Sequence, residues 1–213
     1  MLVLLTLFTF VLLLVPFERS PLLSVFRITD SPVVVTKGNY GLTPIIEISF
    51  SHDGFDQWLE NLSAPYPLLM LDAEWIDRSP NSIKIIKEKQ IPTGLLGKKL
   101  AVYEDSKLLK KELTSYSQAF DRLPLWFTTQ DHLISDELKD TLFSQEVNTL
   151  APSIIWNDQR SEPKLKKGMI VAIPIHEESA IDFKRISKFI DSHDFISLEE
   201  NIFGYQFKTK QSQ

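Results

Sequence analysis

The order of apolar and polar residues along the chain predicts strands and helices in alternation. Short apolar runs rich in β-branched residues are typical of buried strands, whereas apolar residues spaced three or four apart are typical of a helix with one buried face. The predicted strands are 33–35, 45–50, 68–71, 93–97, 123–127, 153–156, 168–175 and 195–198. The predicted helices are 54–62, 79–90, 107–120, 136–145 and 180–192.

This alternation predicts the fold class. Strands that follow one another through helical crossovers run parallel in one sheet. A full barrel of this kind has eight strand-and-helix units, and the chain offers about six or seven crossovers in about 180 residues. We therefore predict an α/β fold, a distorted and incomplete (β/α) barrel. Functional groups are expected where the carboxyl ends of the strands converge.

The first 17 residues carry no charged side chain and consist mainly of Leu, Val and Phe. As a helix they would extend over about 25 Å, slightly less than the ~30 Å hydrocarbon layer of a membrane. No small-residue cleavage site follows, which favours a retained anchor over a cleaved signal peptide. We predict a signal anchor or transmembrane helix at 1–17, a stem at 18–32 and one folded domain at 33–213. The protein is then expected in the cell membrane, single-pass, with its domain outside the cytoplasm; a secreted protein and a buried core helix are the alternatives.

Composition narrows the possible ligands. The 23 Lys and Arg residues are outnumbered by 28 Asp and Glu residues, which gives a net charge of −5. No nucleic-acid partner is expected, because such a partner requires a basic surface. The absence of cysteine from the sequence excludes disulfides, thiol nucleophiles and thiolate metal ligands. Any metal would have to be held by His, Asp or Glu, and the chain has only four histidines.

Acidic residues and histidines stand at the ends of predicted strands. Asp72 and Glu74 are two positions apart, so their side chains would point to the same face of a strand and are candidates for binding substrate. With Asp53 and His176 they would meet at the barrel mouth, as an oxygen-rich site for Mg²⁺ or Ca²⁺ or as a general acid pair. The alternative is structural: Asp72 and Asp53 lie where a carboxylate caps a helix, and His176 can be a hydrogen-bonded core residue. His52 has the same two interpretations as His176, catalytic or structural.

Three tryptophans lie at or near strand ends, namely Trp75, Trp126 and Trp156. Their rings are candidates for substrate binding, because aromatic faces stack well on the C–H faces of sugar rings. Packing in the core is the alternative interpretation. His132 and His193 lie in polar segments, and we expect both to be exposed.

Several segments, in the order they occur, resemble the polysaccharide deacetylase (NodB-homology, carbohydrate esterase family 4-like) domain. Lys37-Gly38-Asn39 and the strand before Ser51-His52-Asp53-Gly54 are similar to the family's opening turn and its T-F-D-D-G strand end. Further similar segments are 71–80 with the following helix, 168–177, which is similar to G-x-I-x-L-L-H-D, and 186–200. The resemblance extends from about residue 33 to residue 207 and implies the deacetylase fold.

The family's catalytic pattern is only partly present. In the family, one Asp and two His of an H-x-x-x-H motif hold a divalent metal, a second Asp is the base and a late His is the acid. The resemblance places Asp53 at the metal-binding Asp, His52 at the base and His176 at the acid. Residues 93–100, where the H-x-x-x-H motif is expected, contain no histidine. One carboxylate holds a hydrated divalent ion too weakly, so the resemblance implies no cofactor, with a divalent metal in a rebuilt site as the alternative.

The resemblance therefore implies a deacetylase-like protein of the cell envelope without metal-dependent deacetylase activity. Its expected partners are cell-wall polysaccharide or peptidoglycan, or another envelope protein, together with the membrane through residues 1–17. The alternative is an active hydrolase that cleaves the C–N bond of N-acetylated cell-wall sugars with a rebuilt site.

Overall fold

The computed structural model describes residues 29–103, 106–176 and 180–204. The predicted anchor at 1–17 and most of the predicted stem lie outside these residues. Within these ranges, no helix is both long enough and apolar enough to cross a membrane.

Eight strands form one parallel sheet, which confirms the predicted incomplete barrel. The strands are β1 (Val34–Val35), β2 (Thr43–Ile48), β3 (Leu68–Asp72), β4 (Thr93–Gly97), β5 (Trp126–Thr129), β6 (Asn148–Leu150), β7 (Ile154–Ile155) and β8 (Ile170–Ile175). Their order across the sheet is β1-β6-β5-β4-β3-β2-β8-β7. Strands β1 and β7 form the two edges, and the sheet curls into a half-barrel.

Seven α-helices lie within the described residues. They are α1 (Phe55–Asn61), α2 (Ala73–Arg78), α3 (Pro80–Glu88), α4 (Ser106–Phe120), α5 (Asp136–Ser144), α6 (Phe183–Asp191) and α7 (Leu198–Phe203). Helices α1, α3, α4, α5 and α6 confirm the predicted helices, with ends shifted by a few residues. Helix α2 and strand β6 were not expected, and β5 lies a few residues later than the predicted strand.

The predicted last strand, 195–198, is wrong. Phe195 makes a single parallel bridge with Leu42, and the chain then turns into α7. The Ser197 hydroxyl caps this helix by accepting the backbone N–H of Glu200 at 3.0 Å. Glu199 and Glu200 in the first turn favour the same helix start, because carboxylates are stabilised at the positive end of a helix.

Alternate residues of the strands face two different cores. In β2, Ile46 and Ile48 pack against the helices, whereas Ile45 packs inside the curl together with Leu96. Because successive side chains of a strand point to opposite faces, Glu47 shares the face of Ile45. A charged side chain therefore points into the barrel.

Helix α7 closes the amino end of the barrel. Leu198 packs into the inner core, and Thr43, the first residue of β2, donates its hydroxyl to the backbone carbonyl of Ile196 at 3.1 Å. The side-chain oxygen of the buried Asn201 accepts the backbone N–H of Gly41 at 3.0 Å. The polar side chains that the fold gathers around the sheet therefore lie at the opposite, carboxyl end.

Candidate functional site

The centre of the carboxyl end is a buried carboxylate. Glu47 is 0% exposed, its Oε1 lies 2.7 Å from Nε2 of His132, and its Oε2 lies 3.3 Å from Nε2 of His176. His176 follows β8, the neighbour of β2, and His132 follows β5. The parallel topology thus brings two histidines from distant parts of the sequence onto one carboxylate.

The two histidines determine the charge of Glu47. Burial raises the pKa of the Glu47 carboxyl, but the hydrogen bonds and charges of His132 and His176 outweigh burial and hold the pKa below its ordinary value. Glu47 is therefore ionised at neutral pH, and an ionised carboxylate can only accept hydrogen bonds. Both rings must present an Nε2–H group to it.

Ser49 extends this cluster toward solvent. Its Oγ lies 3.1 Å from Nδ1 of His176, and the side chain is half-buried. In a neutral His176 that carries its proton on Nε2, the free Nδ1 lone pair accepts the hydrogen of the Ser49 hydroxyl. Ser49, His176, Glu47 and His132 thus form one chain of hydrogen bonds, which we call the Glu47 network.

A turn with an unusual backbone conformation places His132. The backbone of His132 has φ of 57°, in the left-handed region that costs a residue with a Cβ about 1–2 kcal/mol. Its N–H bonds to the carbonyl of Thr129 at 3.0 Å, and the Thr129 hydroxyl donates to the carbonyl of Leu133 at 2.8 Å. These bonds hold the turn in a conformation that directs the imidazole at Glu47.

A second charged group lies at the ends of β3 and β4. Lys98 Nζ is 2.8 Å from Oδ2 of the buried Asp72 and 3.0 Å from Oε2 of Glu74. Burial lowers the pKa of Lys98, but its hydrogen bonds to the two carboxylates prevail and hold that pKa above its ordinary value. Asp72 also caps α2, because its Oδ1 accepts the backbone N–H of Trp75 at 3.0 Å. Asp72 therefore has the capping role given above as its structural alternative.

Behind Lys98 lies another buried acid. The backbone N–H of Lys98 donates to the hydroxyl of Tyr103 at 2.8 Å, and Tyr103 donates to Oε2 of Glu112 at 2.5 Å. Glu112 is 3% exposed, and burial, reinforced by the nearby charge of Asp72, raises its pKa to about 7 although the bond from Tyr103 opposes that shift. A carboxyl group that titrates near neutral pH thus supports the loop that carries Lys98.

No hydrogen bond among the described residues joins His52 or Asp53 to the Glu47 network. Asp53 is exposed, and the half-buried His52 ring lies edge-on to Phe50 and Phe183, with ring centres 5.3 and 6.4 Å away. Burial lowers the pKa of His52, against the opposing charges of Asp158 and Asp53. An imidazole held between aromatic rings and kept neutral is mainly a packing group.

The hypothesis of one rebuilt site is not supported. Asp72 and Glu74 share Lys98, His176 belongs to the Glu47 network, and Asp53 is exposed. No hydrogen bond or ion pair of the described side chains joins these acids to His176.

The three tryptophans are core residues, which corrects their assignment as sugar-stacking candidates. Trp75, Trp126 and Trp156 are 0%, 1% and 1% exposed. Their indole nitrogens have partners inside the protein; Trp75 donates to Ser51 at 3.1 Å and Trp126 to Glu199 at 3.0 Å. No ring face is left for a sugar, and the packing alternative describes all three.

The expectation that His132 and His193 are exposed is also wrong. Only 15% of the His132 side chain is accessible, because the ring is turned onto Glu47. His193 is half-buried, and its Nδ1 lies 2.9 Å from the carbonyl oxygen of Phe189.

The residues present do not fit the divalent metal of the resembled family. Across the three described ranges, no group of three or more His, Asp or Glu side chains is arranged to hold a metal ion. The Nε2 atoms of His132 and His176 are directed at Glu47, and Asp53 is exposed. We therefore derive no step that passes through a metal.

A signal for Glu47 was present in the sequence. Glu47 is the only charged residue between Lys37 and Asp53 and lies within an apolar strand. A charge in such a strand must be buried with partners, because an unpaired buried charge is strongly destabilising. Its histidine partners had no such signal, since the contact depends on strand order.

Comparison with solved structures defines the fold, whereas no protein-family model and no curated protein sequence matches the chain. A wild-type pseudoenzyme of carbohydrate esterase family 4 from Bacillus anthracis matches with a TM-score of 0.60 at 16% identity, covering 80% of this chain and 69% of that chain. A mutant of that pseudoenzyme with restored enzymatic activity gives 0.62 at 15% identity, over 80% and 71% of the two chains. PdaA of Bacillus subtilis, a family 4 carbohydrate esterase, gives 0.63 at 10% identity, over 81% and 86%.

The chain therefore has the fold of the family 4 carbohydrate esterases, the fold that the sequence resemblance implied. Enzymes of that family have this fold, and so does a pseudoenzyme of the family. The deacetylase-like architecture is thus established, and its chemistry has to be argued from the side chains at the carboxyl end.

Proposed function

We propose that this chain is a membrane-tethered, extracytoplasmic deacetylase-like protein that binds a cell-envelope glycan and does not carry out metal-dependent deacetylation. The observation that carries this proposal is the composition of the carboxyl end. Hydrogen-bonding side chains with accessible surface, among them Ser49, Glu74, Lys98 and His176, lie there without a group of metal ligands. Sugar hydroxyls bind to such alternating donors and acceptors.

Three further observations support the proposal. One structure with this fold is a peptidoglycan N-acetylglucosamine deacetylase, which matches at a TM-score of 0.63 and 12% identity. Another structure with this fold is the family 4 pseudoenzyme, so the fold also occurs in a protein that is not an active enzyme. The uncharged segment 1–17 supports the membrane tether.

The competing function is hydrolysis of N-acetylated sugars by a site rebuilt from Asp53, Asp72, Glu74 and His176. The separation of these residues into different contacts favours binding over this hydrolysis. The two functions differ in a direct measurement, since only the hydrolase releases acetate from the N-acetyl groups of the sugar.

The test is retention of the detergent-solubilised full-length chain on insoluble peptidoglycan, with zinc content and acetate release measured on the same samples. We expect retention, no stoichiometric zinc and no acetate. Glu74→Ala removes a hydrogen-bonding group worth about 1 kcal/mol and should weaken retention roughly fivefold. Glu88→Ala is the matched control, because Glu74 and Glu88 are both 65% exposed and each pairs with one lysine. Zinc-dependent acetate release, or equal retention of both variants, would contradict the proposal.

A further inference from the structure

The Glu47 network contains the parts of a nucleophilic site that needs no metal. A hydroxyl, an imidazole and a buried carboxylate are hydrogen-bonded in series in Ser49, His176 and Glu47. A serine is a weak nucleophile unless an adjacent base takes its proton, and the base must be oriented by a third group. All three groups are present here at 3.1 and 3.3 Å.

The direction of the hydrogen bonds follows from the carboxylate. Glu47 accepts on both of its oxygens, so Nε2 of His176 carries a proton, and in the neutral ring Nδ1 is then the unprotonated nitrogen. The Ser49 hydroxyl must then donate to Nδ1. His132, bound to the other oxygen at 2.7 Å, fixes the carboxylate in this orientation.

The network is also accessible from solvent. Ser49 is half-buried, and 22% of the His176 side chain is exposed, whereas Glu47 is fully buried. The nucleophile and the base thus face solvent and the orienting carboxylate does not, which is the arrangement that a serine acyl-transfer site requires.

We propose that Ser49 is a nucleophile for acyl transfer from small acyl esters, with His176 as its general base and Glu47 as the residue that positions His176. This activity goes beyond glycan binding and does not depend on it, because it needs neither a metal nor a bound glycan. The class of substrate is an ester with a small acyl group such as acetyl, since Ser49 directly follows β2 and is half-buried.

The reaction needs no reactant other than the ester and water. Ser49 Oγ forms a bond to the carbonyl carbon while its proton passes to Nδ1 of His176, and Glu47 stabilises the resulting imidazolium. The tetrahedral intermediate expels the alcohol, which takes the proton from His176, and leaves acyl-Ser49. Water then loses a proton to His176 and attacks the acyl carbon. The carboxylic acid leaves, and Ser49 recovers its proton.

The experiment uses the full-length chain and p-nitrophenyl acetate. We expect one acetyl group on the peptide that contains Ser49, together with release of p-nitrophenolate. Removal of a general base costs about 10²–10⁴-fold, so His176→Asn should slow this release by at least about 100-fold.

The control is Ser51→Ala. Ser51 is a nearby serine whose hydroxyl bonds to Trp75 and Ser79 instead of a histidine, so this variant should keep the wild-type rate. Ser49→Ala should lose the label while melting at a similar temperature. Mapping of the acetyl group in the wild-type chain does not depend on any variant. Acetylation only of lysines or of other serines, or an unchanged rate in folded His176→Asn, would overturn the proposal, and neither outcome bears on retention by peptidoglycan.

Discussion

Glu47 occupies a position where a parallel sheet normally has an apolar residue. It lies between Ile46 and Ile48, and all three side chains are 0% exposed. Burial of a single charge costs several kcal/mol, and this cost is tolerated only where the remaining lone pairs are satisfied. His132 and His176 supply that compensation, so the stability of the strand and the geometry of the site depend on the same contacts.

The first prediction concerns the charge of Glu47. Glu47→Gln keeps the shape but directs an amide donor at one imidazole N–H, so the free energy of unfolding should fall by about 1–3 kcal/mol at pH 7. The folded-state pKa of Glu47 lies below 4.5, the ordinary value. The charge therefore stabilises the folded protein above pH 4.5, and this stabilisation is lost as the pH falls through the folded-state pKa. The difference between variant and wild type should therefore shrink in acid. Urea denaturation measures this difference, and Glu60→Gln, an exposed acid, should change little.

Ionisation of Glu112 lowers the stability of the folded protein, whereas ionisation of Glu47 raises it. Its folded-state pKa of about 7 lies above the ordinary 4.5, so the folded protein binds a proton that the unfolded chain has lost. Stability should therefore fall as the pH rises from about 4.5 to about 7. Among the residues that the structure describes, its Oε1 atom has no hydrogen-bond partner, which agrees with a carboxyl group that favours its neutral form.

The second prediction follows from this sign. Glu112→Gln removes the titrating group, and the variant should lose less stability than the wild type between pH 5 and pH 7.5. Over this range the stability lost by the two proteins should differ by at most about 3 kcal/mol. Urea midpoints at several pH values measure it, with Glu60→Gln expected to retain the wild-type slope. Parallel curves for Glu112→Gln and the wild type would show that Glu112 does not titrate in this range.

Among the secondary-structure elements, those with clear periodicity were predictable and those defined by short local signals were not. Helix α4 repeats apolar residues on one face over 15 residues and was predicted to within one residue at each end. Helix α7 has 6 residues, and its apolar start resembles a strand. The signal that distinguishes it is Ser197 followed three residues later by Glu200, a capping pattern at a helix start.

The candidate site was predictable only as a location. The carboxyl ends of the strands were expected to hold it, and the Glu47 network lies there. The pairing of Glu47 with His132 was not predictable, because the two lie 85 residues apart and meet only through the order of the strands. The strand that holds Trp126 was predicted a few residues too early. The face of the sheet on which its ring lies could therefore not be predicted.

The third prediction concerns the turn before β2. A Cβ on Gly38 would collide with both the backbone carbonyl oxygen and the side chain of Asn201, and movement of that side chain would not relieve the clash with the carbonyl oxygen. Gly38→Ala should therefore destabilise the protein by about 1–3 kcal/mol. Asn39→Ala, at the next and exposed position, is the control and should change stability little. Thermal or urea unfolding compares them; equal stability would show that α7 can shift without cost.

At the scale of the whole molecule, the fold does not determine which polar groups lie at the carboxyl end. Solved structures at 10–16% identity share this fold, and they include enzymes and a pseudoenzyme. The barrel depends on apolar alternation and short crossovers, which many sequences provide. The polar groups at the carboxyl end are particular to each chain, and here they form a carboxylate–histidine network and a lysine bridged by two acids.

The fourth prediction concerns where the whole molecule is found. If residues 1–17 are the tether, the full-length chain should sediment with membranes and resist extraction by carbonate. A chain that begins at residue 18 should appear in the soluble fraction, because the uncharged, mainly apolar residues 1–17 provide the membrane affinity. Membrane fractionation measures both, and protease added outside the cell should degrade the domain of the full-length form. Sedimentation of the shortened chain would contradict the tether.

The contacts of Asn201 have a consequence for the timing of folding. This residue joins Tyr40 and Gly41 to Gly168, which connects segments from both ends of the domain. None of these bonds can form until residue 201 has left the ribosome, so α7 closes the amino end of the barrel only after the eight strands have been synthesised.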